Sequence, residues 1–147
     1  MLSVSSKEFL KLPITDFIIS ADKVAHVQLG NYAEHALLVL TKTGYSSIPV
    51  LDMSYRMHGM ISVQQITDEI LGLDRIEYER LAEIKVDSIM SKEFVKIHIN
   101  DTFQKGLDLL INHPYICVVD DQQTFLGILT RRVVMKQLKK HLYVSMV

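Results

Sequence analysis

Apolar residues recur in this chain with two alternating periods, and the alternation runs twice. Segments rich in β-branched residues at 24–27 and 95–99 read as strands. Each leads into a helical period: Ala33, Ala36, Leu37 and Leu40, and later Phe103, Leu107 and Leu110, share one helical face. Asn31 with Glu34, and Asp101 with Gln104, predict a cap and a reciprocal acceptor at the starts of these helices. Gly44 then offers a left-handed helix end, and Pro114 stops the second helix by lacking an amide donor. Nearly continuous apolar runs at 48–51 and 116–119 predict strands covered on both faces. Polar turns at 52–56 and 120–123 lead into strands at 58–62 and 125–130. A second helix begins near Val63 in one copy and Arg131 in the other.

This is strand, helix, strand, strand, helix written twice, a tandem repeat of about 60 residues in which neither copy covers its own core. The expected class is α/β (α+β): two β-α-β-β-α units packed with pseudo-twofold symmetry. The expected segments are a docking helix in 1–13, a first domain at 14–71, a connecting helix in 72–85 and a second domain at 86–147. The run Ser5-Ser6-Lys7-Glu8-Phe9-Leu10 carries a cap pattern of its own for the docking helix. The connecting helix rests on Arg75 and Glu79 four apart, with Leu73, Ile76 and Leu81 as anchors. The second copy is two residues shorter between tyrosine and aspartate (Tyr45 to Asp52 against Tyr115 to Asp120), so the loops before the middle strands differ.

Composition narrows the function classes. With 147 residues, 48% apolar and 22% charged, and a net charge of −1, the chain fits a soluble globular module and not a generic nucleic-acid binder. No apolar stretch is long enough to span a bilayer, and a cytoplasmic location is expected. Cys117 is the only cysteine, which excludes an internal disulfide, and its apolar strand marks it as a core thiol. The six histidines form no His-x-x-x-His pair, so no metal site is expected. Neither a phosphate-binding loop nor a nucleophile elbow is present, and no catalytic residue can be named.

Pro49-Val50-Leu51-Asp52, then Gly59-Met60-Ile61-Ser62, then Gly127-Ile128-Leu129-Thr130 resemble the motifs of a CBS-domain pair, a Bateman module. Residues 21–27, 35–45 and 130–134 further resemble the small stand-alone cyclic-di-AMP-binding proteins of Firmicutes, the DarB/CbpB family. The resemblance implies a homodimeric, non-enzymatic receptor for cyclic di-AMP. Its free form is expected to engage target proteins, namely a Rel-type (p)ppGpp synthetase/hydrolase and pyruvate carboxylase. An AMP- or ATP-sensing module and a ligand-free dimerisation module remain open as alternatives.

Nucleotide-binding CBS units usually carry Gly-h-h-Thr/Ser-x-x-Asp (h apolar), with the aspartate on the ribose hydroxyls. Here that position holds Gln65 and Val133. A cyclic dinucleotide has no free ribose diol to reward a carboxylate, and an anion beside its phosphate is repelled. Arg131 and Arg132 supply the opposite charge, as guanidinium forks that match phosphate oxygens at a helix start. The expected ligand-binding residues are Lys23, Ala25, Tyr45, Ser46, Ser47, Thr130, Arg131 and Arg132. Lys23 adds charge, Ala25 leaves room, and Tyr45 to Ser47 offer a ring and hydroxyls for adenine. The counterpart set, near Phe94 to Lys96, Tyr115 to Cys117 and Ser62 to Gln64, lacks the arginines, so one site per chain is expected.

Overall fold

The computed structural model describes residues 5–146. In chain order the elements are α1 (Ser6–Leu10), β1 (Ile19–Ser20), β2 (Val27–Gln28), α2 (Ala33–Thr43), β3 (Ser47–Leu51), β4 (Met57–Ser62) and α3 (Val63–Ile70). There follow α4 (Val86–Ile89), β5 (Lys96–His98), α5 (Phe103–Leu110), β6 (Tyr115–Val119), β7 (Phe125–Thr130) and α6 (Arg131–Ser145). Copy one is thus β2-α2-β3-β4-α3 and copy two β5-α5-β6-β7-α6, the expected mixed α/β order.

Contacts divide the chain into two compact units: Ala25–Phe94, and the segment up to Val24 joined with Val95 onward. In the Ala25–Phe94 unit, β2 is parallel and β4 antiparallel to β3. The outer edge of β4 takes a bridge from the linker, with Met60 and Ser91 exchanging backbone hydrogen bonds of 2.9 Å. In the other unit the order is β1-β7-β6-β5, with Ile19 opposite Ile128 and Ser20 opposite Gly127. Each copy's leading segment therefore pairs with the last strand of the other copy. Residues 14–24 precede copy one in sequence yet pack in the unit of copy two.

The cores follow from the pattern of apolar residues. Ile48, Val50 and Leu51 of β3 and Ile116 to Val119 of β6 are buried, as strands covered on both faces require. Ala33, Ala36 and Leu40 face the sheet from α2, and Phe103, Gly106 and Leu110 occupy the same positions on α5. Helix α1 docks through Phe9, whose ring lies 4.7 Å from that of Phe103 and stacks on His141 at 4.3 Å. Burying one such ring contributes about 1.5–3 kcal/mol. Its cap comes from the run that carries the cap pattern, the Glu8 amide donating to Ser5 Oγ at 3.2 Å.

Two local expectations are corrected. Asn31 and Asp101 do not cap helices. Their side chains turn back and accept from the amides of Gln28 (2.8 Å) and His98 (2.9 Å), closing the strand ends. Tyr32 and Thr102 take the cap positions, and only Thr102 accepts there, from the Lys105 amide. Residues 72–85 are not one continuous helix but hold a 3-10 turn at Tyr78–Ala82. The Arg75–Glu79 pair does form. Of the three anchors, however, only Leu81 packs on a core, while Leu73 is fully exposed and Ile76 is exposed too. A helix without a buried face has little to hold it.

Candidate functional site

Thr130 ends β7 and caps α6: its Oγ1 accepts from the Val133 amide at 3.2 Å. The Arg131 amide donates to Pro114 O at 3.1 Å. Between these two committed amides lies that of Arg132, in the first turn of the helix. The arginine side chains part company here. Arg131 Nε donates to Leu110 O at 2.7 Å and its Nη2 to Ile111 O at 3.1 Å, both carbonyls at the end of α5. Arg132 is exposed, and its side chain makes no hydrogen bond or ion pair among the described residues.

A cation at a helix start works against the helix dipole, which favours anions there and cations at the opposite end. Arg131 escapes this conflict because its guanidinium sits at the C-terminus of α5. Arg132 does not escape it. No acidic residue stands in the first turn of α6 to offset it.

The equivalent corner of copy one is built differently. Ser62 and Gln65 form a full capping box: the Gln65 amide donates to Ser62 Oγ (3.1 Å) and the Ser62 amide to Gln65 Oε1 (2.9 Å). The side chain at the position of the ribose aspartate is thus held by the backbone. The Val63 amide donates to Ser46 O at 3.0 Å, matching the Arg131–Pro114 bond. Ser46, Ser47, Ser62, Val63, Gln64, Thr67 and Asp68 line a cavity of about 450 Å³. Ser46 and Ser47, expected to act with Thr130 to Arg132, therefore also border the counterpart residues Ser62 to Gln64. The β3–β4 register explains this, since Ser47 lies opposite Ser62. Thr67 and Asp68 were missed; they stand four residues along α3 from Val63 and Gln64, the helical spacing that reveals them.

Exposed Lys23 ends a 3-10 turn that packs on β7. Because β1 runs antiparallel to β7 from Ile128 to Gly127, that turn lies toward the Phe125 end of the strand and not toward Thr130. Ala25 is half-buried and packs on the core of the Ala25–Phe94 unit. Tyr45 is half-buried against the same core, and Ser46 is exposed beside it. Lys23, Thr130, Arg131 and Arg132 belong to one compact unit, and Ala25, Tyr45, Ser46 and Ser47 to the other. The chain passes between the units at 24–25 and 94–95, equivalent places in the repeat.

Cys117 is buried in β6, and burial pushes its thiol up to about 12. It is a core group and not a nucleophile. No helix among the described residues is long and apolar enough to cross a membrane.

A CBS domain model matches residues 86–140, and copy one has the same order of elements. Cyclic di-AMP receptor B of Bacillus subtilis (strain 168) is 53% identical over 142 residues, 97% of each chain. The crystal structure of Listeria monocytogenes CbpB in complex with c-di-AMP is 53% identical, with a TM-score of 0.81, covering 89% of this chain and 98% of that one. A CBS domain-containing protein of Bacillus anthracis is 51% identical, with a TM-score of 0.83 over 92% of this chain and 99% of that one. With a capped β7–α6 corner of this kind and that identity along nearly the whole length, this chain belongs to the CBS-domain family that includes Bacillus subtilis cyclic di-AMP receptor B.

Proposed function

We propose that this protein is a receptor for cyclic di-AMP that controls other proteins through its occupancy and catalyses no reaction itself. The observation that carries the reading is Arg132, an exposed cation in the first turn of a helix whose dipole opposes it. A phosphodiester supplies the missing anion. A charge-assisted hydrogen bond contributes roughly 1.5–3 kcal/mol, so Arg132 alone is worth tenfold or more in affinity. The absence of a carboxylate at Gln65 and Val133 favours a cyclic ligand over AMP or ATP, whose free ribose hydroxyls would go unmatched. The family supports the same ligand, since a 53% identical relative is named as a receptor for it and another was crystallised with it.

We assign a phosphate of the dinucleotide to Arg132 and the Thr130 corner. The ligand acts by favouring one arrangement of a pre-existing ensemble, and the free form, a cytoplasmic homodimer, engages a Rel-type (p)ppGpp synthetase/hydrolase and pyruvate carboxylase. A thermal-shift panel separates the readings: cyclic di-AMP raises the melting temperature, and AMP and ATP raise it little. A shift from AMP or ATP with none from the dinucleotide contradicts the proposal. For the targets, pull-downs with and without cyclic di-AMP should recover both enzymes only in the ligand-free sample.

A further inference from the structure

We infer that Arg131 is a positioning residue that staples the first turn of α6 in place, and that Arg132 alone presents the cation to a phosphate. The inference rests on the function proposed above and deepens it. Its root is the broken symmetry of the repeat. Helix α2 ends at Gly44, whose φ of +79° lets its amide donate to Leu40 O at 2.9 Å. Copy two is two residues shorter here and has no glycine; its cap residue, Ile111, stays right-handed. The carbonyls of Leu110 and Ile111 are met instead by the Arg131 guanidinium, at 2.7 and 3.1 Å. Together with the bond from its own amide to Pro114 O, Arg131 is fastened at three points to the 110–114 loop, all within one compact unit.

Copy one shows what is added. Val63 repeats the amide bond, to Ser46 O, but a valine has no fork with which to grip the end of α2. Reaching two successive carbonyls requires a planar, multiply donating group, and a lysine ammonium is a single point. The cation also sits at a helix C-terminus, where the dipole favours it. A guanidinium committed in this way is not available to a phosphate. Adjacent residues on a helix point about 100° apart, so fixing Arg131 toward α5 also fixes the direction of Arg132.

The test is calorimetric titration of cyclic di-AMP into wild type, R131A, R131K and R132A at several salt concentrations, well below each melting temperature. Hydrogen exchange of the ligand-free proteins is measured alongside. R131A and R131K should both bind about tenfold more weakly than wild type, with the wild-type salt dependence. The amides of Asn112, His113 and Tyr115 and those at 131–134 should exchange faster. R132A should lose at least as much affinity and also show a shallower salt dependence, because an ion pair is gone. Wild-type affinity in R131A overturns the inference, as does rescue by R131K, which would make the charge and not the fork the active feature. A salt dependence in R131A as shallow as in R132A also overturns it, by making Arg131 a phosphate contact. Wild type that fails to bind the dinucleotide brings down the functional reading and this inference with it; that failure is distinguished by the wild-type titration alone.

Discussion

His58 Nε2 lies 2.9 Å from Asp52 Oδ2, across a turn whose Ser54 and Arg56 amides donate to the other carboxylate oxygen at 2.8 and 3.0 Å. Copy two repeats the construction with Asp120, whose Oδ1 accepts from Gln122 and Thr124 at 2.9 Å each. Tyr55 and Gln123, both at φ +65°, occupy the left-handed corner of the two turns. Side chains rarely adopt that region unless local bonds hold it. The carboxylates supply those bonds.

These turns make stability depend on acid. The imidazole of His58, and then the amides of Arg56 and Ser54, hold Asp52 below the ordinary value of 3.8. The Thr124 amide, and then that of Gln122, does the same for Asp120. A carboxylate depressed in the fold protonates more readily in the unfolded chain. Its contribution is therefore complete above the unfolded range and is lost as pH falls through the folded value. Urea midpoints should decline below about pH 4. D52N/D120N should be less stable at pH 7 and show a flatter acid decline; an identical decline in that variant contradicts the assignment.

Gly127 makes room for β1. At its φ of +153°, an added Cβ would stand 2.1 Å from Ile19 O, a backbone atom that cannot swing away. G127A should lose roughly 1–3 kcal/mol, with hydrogen exchange accelerated across residues 17–23. G106A is the control: its Cβ would meet Leu129 Cδ2, a side-chain atom, at 2.5 Å, so β1 should stay protected. Equal protection of residues 17–23 in G127A and wild type would falsify this account of the edge pairing.

Cys117 reports on global opening. It lies between Lys96 and Ile128 in the sheet, 2% exposed, with its thiol pushed up to about 12. Labelling by a thiol reagent at pH 8 should proceed only at the rate set by unfolding, and urea should accelerate it in step with loss of helical signal. Rapid labelling of the native protein would show that the β6 strand opens locally.

The strands and helices were legible where burial dictates residue type. The apolar runs 48–51 and 116–119 could be little else, and the helix starts at Val63 and Arg131 lie where the polar turns end. The polar residues were harder to read, because Asn31 and Asp101 have the right chemistry for helix caps yet bond backward to strand ends. The helix expected at 72–85 rested on Leu73 and Ile76, which face outward. At the site, the lost ribose carboxylates and the arginine pair were visible in sequence. That Arg131 and Arg132 do different work was not, because the partner carbonyls of Arg131 lie 20 and 21 positions away. Only the fold brings the end of α5 to the start of α6.

That Arg132 meets a phosphate of cyclic di-AMP is tested by calorimetric titration of wild type and R132A with that dinucleotide. Saturable binding by wild type at about one ligand per chain is expected, weakened tenfold or more in R132A, with the free variant melting at or slightly above the wild-type temperature. Binding of equal strength by R132A, or no binding by wild type, contradicts it.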